Sequence, residues 1–281
     1  MKFGITPISF DILKEFDLRD LKFPLLVERA IHAGYDHIEI SMDMHYVLPG
    51  ALSKRIIKKL LKIKEETGIT YSVHLPIWSV ELASPNAVIR DASIQCAVDS
   101  IKRTELLDPL AYVIHLTGAL AAEFSKVNLE PKIKTPIINL MNGFSSISIE
   151  KILNSTKIAP ELIAVENVEY PFSTTRKLVD KYNLSICLDF GHQICGYSGT
   201  ETVYELWETH KDKVIELHMN DGKVMANGRP NDHIAIGDGS FPMDLIGLIK
   251  KSDFRGPTVF ELGFADAQKS LQRIKQQYPD L

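Results

Sequence analysis

The stretch ICLDFGH at residues 186–192 decides the fold, because a short apolar run ends there in an acid, Asp189, with His192 three positions later. An apolar run of this length, bounded by polar residues, is typical of a buried β-strand. Burying a carboxylate or an imidazole alone is unfavourable, so polar groups at strand ends need a partner. A divalent metal ion is the simplest such partner.

The same arrangement recurs in five other segments, each a short apolar run that ends in a histidine or a glutamate. They are YSVHLP with His74, AYVIHLTG with His115, LIAVEN with Glu166, VIELHMND with His218 and TVFEL with Glu261. One histidine at a strand end is more often a hydrogen-bonded loop residue than a ligand. Six consecutive strands that carry such residues at the same end indicate instead a shared cluster of metal ions.

Strand-like and helix-like segments alternate along the whole chain, without a linker between them. The predicted strands are Phe3–Thr6, His37–Ser41, Thr70–His74, Ala111–Leu116, Leu162–Asn167, Ser185–Asp189, Val214–Met219 and Pro257–Glu261. The predicted helices are Phe23–Ala33, Ser53–Glu66, Ala87–Leu107, Ser173–Tyr182, Thr200–His210, Pro242–Ser252 and Ala265–Tyr278. Prolines and a glycine interrupt the stretch 128–155, which is left without a firm assignment.

This alternation in 281 residues predicts an α/β protein, a single (β/α)8 TIM barrel over residues 1–281. A doubly wound open sheet alternates in the same way, but it concentrates its site at one switch point, whereas a barrel brings all strand ends to one mouth. Candidate ligands close the third to the eighth strand in succession, which favours the barrel. The residues that share a face with Asp189 and Glu261 are Ser185, Cys187 and Val259, so the interior is expected to be small or apolar.

Composition limits the class of protein. The formal net charge of −4 provides no basic field that would gather nucleic acid. The three cysteines, Cys96, Cys187 and Cys195, are scattered and indicate neither a disulfide framework nor a thiolate zinc site. No apolar stretch reaches membrane-spanning length, and no signal peptide precedes the first strand. We expect a soluble cytoplasmic protein without a membrane partner, and no oligomeric state is indicated.

Several motifs together resemble one known family. They are GYDHIEIS with Glu39, HLP at His74, VIHLTG, VEN, LDFGH, LHMND and DHIAIGDG, in this order. The chain resembles the xylose isomerase-like TIM barrel superfamily, which contains sugar and sugar-phosphate isomerases and epimerases and the endonuclease IV type of apurinic-site nuclease. The resemblance covers nearly the whole chain, and it leaves two mechanisms open.

The first mechanism is that of the isomerases and epimerases. The resemblance implies a single divalent ion held by Glu166, Asp189, His218 and Glu261, all of which are present. It also gives proton-transfer duties to Glu166 and Glu261. A metal that chelates a hydroxyketone acidifies its C–H bond, and carboxylates on either side can move the proton.

The second mechanism is that of the endonuclease IV type, for which the resemblance implies three zinc ions. The first would take His74, His115 and Glu166. The second would take Glu166, Asp189, His218 and Glu261. The third would take His192, His233 and a carboxylate. Such a cluster makes hydroxide available at neutral pH and neutralises the attacking and leaving oxygens of a phosphodiester.

One departure from the nuclease pattern affects the third ion. Where the pattern has Asp-x-His, this sequence reads Asn231, Asp232, His233. An amide oxygen is a poor zinc ligand compared with a carboxylate. Asp232 would substitute if the loop shifts; otherwise the third metal is weak or absent and the site is dinuclear. We assign Asn231 and Asp232, with Glu39 and Trp78, to substrate binding.

The loops near the candidate ligands bear on the substrate. They offer the aromatic residues Phe10, Tyr46, Trp78 and Phe172. They offer few cations, namely Arg90, Lys223 and Arg229. DNA binding needs clustered cations, so DNA is disfavoured as a partner although not excluded. The Gly-rich stretch 220–240, which holds His233, is expected to be a long loop that acts as a lid.

The prediction is a metal-dependent phosphodiester hydrolase that acts on a small phosphodiester or a sugar phosphate, with Glu166 and Glu261 as catalytic residues. Zinc is the expected metal, with manganese and cobalt as alternatives. HLPIWSVELASP and LLDPLAYVIHLTG resemble the cobamide-remodelling phosphodiesterases, which cleave the nucleotide loop of corrinoids. The alternatives are a single-metal isomerase or epimerase and a barrel that binds a metal or ligand without turnover.

Overall fold

The computed structural model describes residues 1–7, 22–48 and 50–281, so Phe10 lies outside the described residues. Within them the strands are β1 (Lys2–Ile5), β2 (His37–Ser41), β3 (Thr70–His74), β4 (Tyr112–Ile114), β5 (Ile163–Glu166), β6 (Ser185–Asp189), β7 (Val214–His218), β8 (Asp221–Val224), β9 (Pro230–Ile234) and β10 (Pro257–Phe260). Eight of them close into a barrel in the order β1-β10-β7-β6-β5-β4-β3-β2. All neighbours in this barrel run parallel. The predicted (β/α)8 fold is therefore confirmed.

Helices surround the barrel. They are α1 (Phe23–His32), α2 (Asp43–Val47), α3 (Lys54–Thr67), α4 (Ala87–Thr104), α5 (Ala119–Lys126), α6 (Pro131–Thr156), α7 (Phe172–Tyr182), α8 (Phe190–Ile194), α9 (Val203–His210), α10 (Asp244–Lys251) and α11 (Phe264–Gln277). Helix α3 shows why the predicted bounds hold: it buries Ile57, Leu60 and Ile63, and it ends at Gly68 with φ 75. Among the described helices, none combines the length and the apolar character that a membrane crossing requires.

The stretch 128–155, left unassigned from the sequence, is largely helical. Helix α6 begins with Pro131 in its first turn, where a missing N–H costs nothing. Pro136 lies inside the helix and removes one backbone hydrogen bond. Burial of Ile138, Met141 and Ile149 along one side accompanies the continued helix. Packing thus overrides the local cost of the proline.

The stretch 220–240 is not the open loop expected from its glycines, because it contains the antiparallel hairpin β8–β9. Lys223 pairs with Asn231 in its register. The fully buried Asp221 anchors the base of this hairpin. Its Oδ1 accepts from Gly222 N at 2.7 Å and from Phe241 N at 2.8 Å. Its Oδ2 accepts from two further N–H groups. Those two are Gly237 N at 2.8 Å and Gly239 N at 2.9 Å. The sequences DGKV and PNDHI lack the alternation of apolar and polar residues that is typical of strands, so these two strands were not predicted.

Candidate metal centre

The predicted metal ligands gather at one end of the barrel, at or just beyond the carboxyl ends of the strands. They form three groups, and within each group one ligand atom per residue lies within 4.8 Å of the others. The groups are His74, His115 and Glu166; Glu166, Asp189, His218 and Glu261; and Asp189, His192 and His233. All eight residues proposed as ligands from the sequence therefore belong to one continuous cluster.

Glu166 lies at the centre of this cluster. Its Oε2 is 3.1 Å from His74 Nε2 and 2.9 Å from His115 Nε2. Its Oε1 is 3.3 Å from His218 Nδ1 and 3.3 Å from His192 Nδ1. The side chain is almost fully buried. The two oxygens thus face different groups of histidines, as a bridging carboxylate would.

The second group is held together by a residue that the sequence did not single out. His218 Nδ1 lies 3.0 Å from Glu261 Oε2 and 3.9 Å from Asp189 Oδ2. Asn220 donates from Nδ2 to Asp189 Oδ2 at 2.8 Å, and its Oδ1 accepts from Glu261 N at 3.0 Å. Asn220 therefore fixes both acids relative to each other. Its position in LHMND, two residues after His218, places it at the same strand end but does not show which residues it contacts.

Asp232 lies beside the third group. His192 Nδ1 is 3.0 Å from Asn167 O, which leaves Nε2 facing Asp232 Oδ2 at 3.6 Å. The same Asp232 oxygen is 3.0 Å from His233 Nδ1, while Asn231 is exposed. His233 adopts φ 50, a left-handed conformation. Asp232 thus places a carboxylate near both histidines, whereas Asn231 is an exposed amide.

The electrostatics of the cluster favour cations. Burial alone would lower the pKa of His74, but its hydrogen bond to Glu166 and the surrounding carboxylates raise the pKa to about 10. Carboxylates likewise raise the pKa of His218 and His233 above the ordinary value despite burial. Burial opposes ionisation of Glu166, yet His218 and His115 hold its pKa well below the usual range. Mixed imidazole and carboxylate donors in such a field fit divalent ions of the zinc type.

Glu39 does not lie where the sequence-based assignment to substrate binding put it. The side chain is fully buried, and its Oε2 is 3.1 Å from His218 Nε2. Its Oε1 accepts from Thr6 Oγ1 at 2.8 Å. A carboxylate on the far nitrogen of a metal-binding histidine fixes the ring and raises its basicity. We therefore reassign Glu39 to orienting His218.

Changing Glu39→Gln is expected to weaken zinc binding by about 10- to 100-fold, because the amide keeps the shape but not the charge that supports His218. Competition with a chelating dye would measure the affinity. The matched control is Glu65→Gln, which alters an exposed glutamate on α3. Equal zinc affinities for both variants and the unaltered protein would contradict the reassignment.

The barrel interior below the cluster is only partly as expected. Small residues do pack there, namely Ala111, Val113, Ala164 and Cys187. The fully buried Glu216, however, shares the face of His218 and accepts from Ser72 Oγ at 2.7 Å. His37 Nε2 lies 2.9 Å from the same Ser72 oxygen. Burial and the charge of Glu39 raise the pKa of Glu216 well above the ordinary value. A polar column therefore replaces part of the predicted apolar interior.

The structure also locates the residues considered for substrate contact. Trp78 lies on the loop after β3 and is 45% exposed. Phe172, in contrast, is buried and meets His210 edge-on. Arg90 is buried as well, and its guanidinium lies over the ring of Phe144. Phe172 and Arg90 are therefore part of the packing and do not line the mouth.

Comparisons with known proteins agree with the barrel fold described above. Residues 27–277 match a family model described as "Xylose isomerase-like TIM barrel". An uncharacterized protein of Methanocaldococcus jannaschii is 26% identical over 287 aligned positions, covering 98% of this chain and 89% of the relative. A protein of Natranaerobius thermophilus named as a probable endonuclease 4 is 25% identical over 275 positions, covering 89% and 92%. A crystal structure described as a D-tagatose 3-epimerase-like protein has a TM-score of 0.73 at 22% identity, covering 99% and 97%, which shows a shared fold.

Proposed function

Because the chain belongs to the xylose isomerase-like TIM barrel family, we propose that it is a metal-dependent phosphodiester hydrolase with a multinuclear site at the barrel mouth. The observation that carries the proposal is the bridging position of Glu166 between two groups of histidines. A single-metal mechanism uses only the group of Glu166, Asp189, His218 and Glu261. It leaves the other histidines without a metal.

The surplus histidines favour more than one ion. His74 and His115 contact Oε2 of Glu166, whereas His218 contacts Oε1. His192 and His233 lie near Asp189 and Asp232 instead. Divalent ions bound to these groups would lower the pKa of a bound water and neutralise the charge of a phosphodiester. We propose zinc, with manganese and cobalt as alternatives, since all three accept imidazole and carboxylate ligands.

The two glutamates take different roles in this proposal. Only 1% of the Glu166 side chain is exposed, so its role is to bridge the metal groups. The side chain of Glu261 is 18% exposed, and its Oε2 lies between His218 Nδ1 and His233 Nε2 at 3.0 and 3.4 Å. Glu261 is therefore placed to accept a proton from the attacking water. His192, His233 and Asp232 would hold the third ion, which would help to neutralise the charge of the phosphate.

The second candidate function is a single-metal sugar or sugar-phosphate isomerase or epimerase. The observation in its favour is that the complete group of Glu166, Asp189, His218 and Glu261 is assembled. A carboxylate pair on one ion can move a proton at a carbon next to a carbonyl. A barrel that binds a metal or ligand without turnover has the same residues and is the third candidate.

Metal content and phosphodiester turnover together test the proposal. We expect two or more metals per chain by inductively coupled plasma spectrometry, and hydrolysis of bis-p-nitrophenyl phosphate by the metal-loaded protein. His74→Ala should abolish this hydrolysis, because His74 is a ligand only in the multinuclear scheme. The matched control is His32→Ala, at an exposed histidine on α1. One metal per chain with epimerisation of a ketose, and no effect of His74→Ala, would replace the hydrolase by the isomerase.

The substrate we propose is a small phosphodiester and not DNA. The buried Arg90 is unavailable at the mouth, and Lys223 Nζ donates to Asp238 O at 3.0 Å. Of the three cations considered from the sequence, this leaves the exposed Arg229, and one cation does not form the cluster that would hold the flanking phosphates of a nucleic acid. The nucleotide loop of a corrinoid is the specific phosphodiester to test first, since the motifs around Trp78 and His115 resemble enzymes that cleave it.

A further inference from the structure

A cleft opens beside the metal centre, between the loop after β3 and the N-terminal turn of α5. Its volume is about 240 Å³. The loop contributes Pro76, Ile77, Trp78 and Val80. The other side is formed by Thr117, Gly118, Ala119, Ala122, Val168 and Glu169. His115 and His192 also line it, so the cleft reaches two of the candidate ligands.

The loop wall of this cleft is held in place by the protein. The buried Asp43 accepts hydrogen bonds from Ile77 N at 3.1 Å and from Trp78 N at 3.0 Å. Ser79 adopts φ 60, which completes the turn. Two backbone hydrogen bonds to one carboxylate restrict the loop, so the backbone at Trp78 is held without a ligand. A preformed wall of this kind lowers the cost of ordering on binding.

The opposite wall is fixed in a similar way. Glu81 forms a β-bridge with Gly118, and its carboxylate accepts from Leu120 N at 3.1 Å. This contact secures the first turn of α5. The helix turns the small side chains of Ala119 and Ala122 into the cleft, three residues apart. The space between Trp78 and α5 therefore depends on two alanines.

The charge of the cleft limits what it can hold. Among the described residues that line it, no side chain is a lysine or an arginine. The acid at the rim, Glu169, is bridged by Lys126 and adds little net charge. Away from His115 and His192, a phosphate or a sugar phosphate would find no lysine or arginine in the lining. A flat apolar group would find aromatic and aliphatic surface.

We propose that this cleft binds an aromatic or similarly flat apolar substituent of the substrate while the phosphate lies on the metal centre. This inference rests on the proposed function and specifies its substrate class: phosphoesters with an aryl or heteroaromatic group next to the phosphate. The continuity of the cleft with His115 and His192 carries the inference, because one ligand can reach both places. Trp78 lies in the wall that such a ring would contact.

Two phosphonates with the same anionic head test this class. Zinc-loaded protein is titrated with phenylphosphonate and with methylphosphonate in a calorimeter. We expect phenylphosphonate to bind at least about tenfold more tightly, because burial of the ring removes apolar surface from water. Equal affinities, or binding of neither compound, would overturn the inference.

A substitution on α5 separates the cleft from general effects of the ring. Ala119→Phe fills the cleft and is expected to remove the preference for phenylphosphonate, whereas methylphosphonate binding and zinc content stay unchanged. Leu120→Phe is the matched control, because the neighbouring Leu120 is exposed and does not line the cleft. An unchanged preference in Ala119→Phe would place the ring elsewhere and overturn the inference.

Hydrolysis of bis-p-nitrophenyl phosphate keeps the two proposals distinguishable. If the unaltered protein hydrolyses this ester but does not prefer phenylphosphonate, the hydrolase stands and the cleft assignment fails. If it prefers phenylphosphonate, and Ala119→Phe removes that preference, but no phosphodiester is cleaved, the cleft assignment stands and the hydrolase fails.

Discussion

Glu166→Gln is expected to reduce phosphodiester hydrolysis by at least about 1000-fold, because the amide cannot bridge two cations or neutralise their charge. The side chain contacts His74, His115, His192 and His218 at 2.9 to 3.3 Å. Without its charge, both groups that share it lose a ligand. Metal content should therefore fall together with turnover, which plasma spectrometry and an assay with bis-p-nitrophenyl phosphate would measure on the same preparation.

The control for this change is Glu150→Gln on the exposed side of α6. It removes the same charge and should leave metal content and rate unaltered. Circular dichroism of both variants would check that the barrel is folded. A Glu166→Gln protein that retains two metals and more than a tenth of the rate would show that Glu166 is not the bridge.

Asp221→Ala is expected to lower the free energy of unfolding by about 3–5 kcal/mol, because a buried carboxylate that accepts several N–H bonds is lost. The four orphaned donors would be Gly222, Gly237, Gly239 and Phe241. They lie at the base of the hairpin that carries His233. Urea unfolding followed by fluorescence would measure the loss.

The exposed Asp253 provides the control, since Asp253→Ala leaves the hairpin untouched. It should change the unfolding free energy by less than about 0.5 kcal/mol, as is usual for surface substitutions. Zinc content should fall in Asp221→Ala if the hairpin loses its place. A stability change as small as that of the control would show that water replaces the lost acceptor.

The barrel was predictable because its strands follow a simple local rule. Short β-branched runs with polar ends give the observed bounds of β2, β3 and β6 without error, and those of the other barrel strands within two residues at either end. The candidate ligands follow from the same rule, since parallel strands of a barrel end at one mouth. The order of the ligands along the chain, one at each successive strand end, already indicated that they would meet at this mouth.

Other features depend on contacts between distant segments and were not predictable. Asn220 matters because it connects Asp189 with the backbone of Glu261, and no local pattern reveals this connection. The contact between the buried Glu39 and His218 also connects residues that are far apart in sequence. The hairpin β8–β9 is polar and short, so it owes its form to the anchor at Asp221 and not to strand propensity.

The hairpin β8–β9 tolerates more sequence change than the barrel strands do. The ligands of the first two groups stand on or next to barrel strands, where a substitution disturbs packing on several sides. Asp232 and His233 stand on β9, which pairs only with β8 within the described residues. An insertion or exchange in this excursion alters the third group of ligands and spares the core. Under the proposed function, such a change would add or remove a metal position at the mouth without disturbing the barrel core.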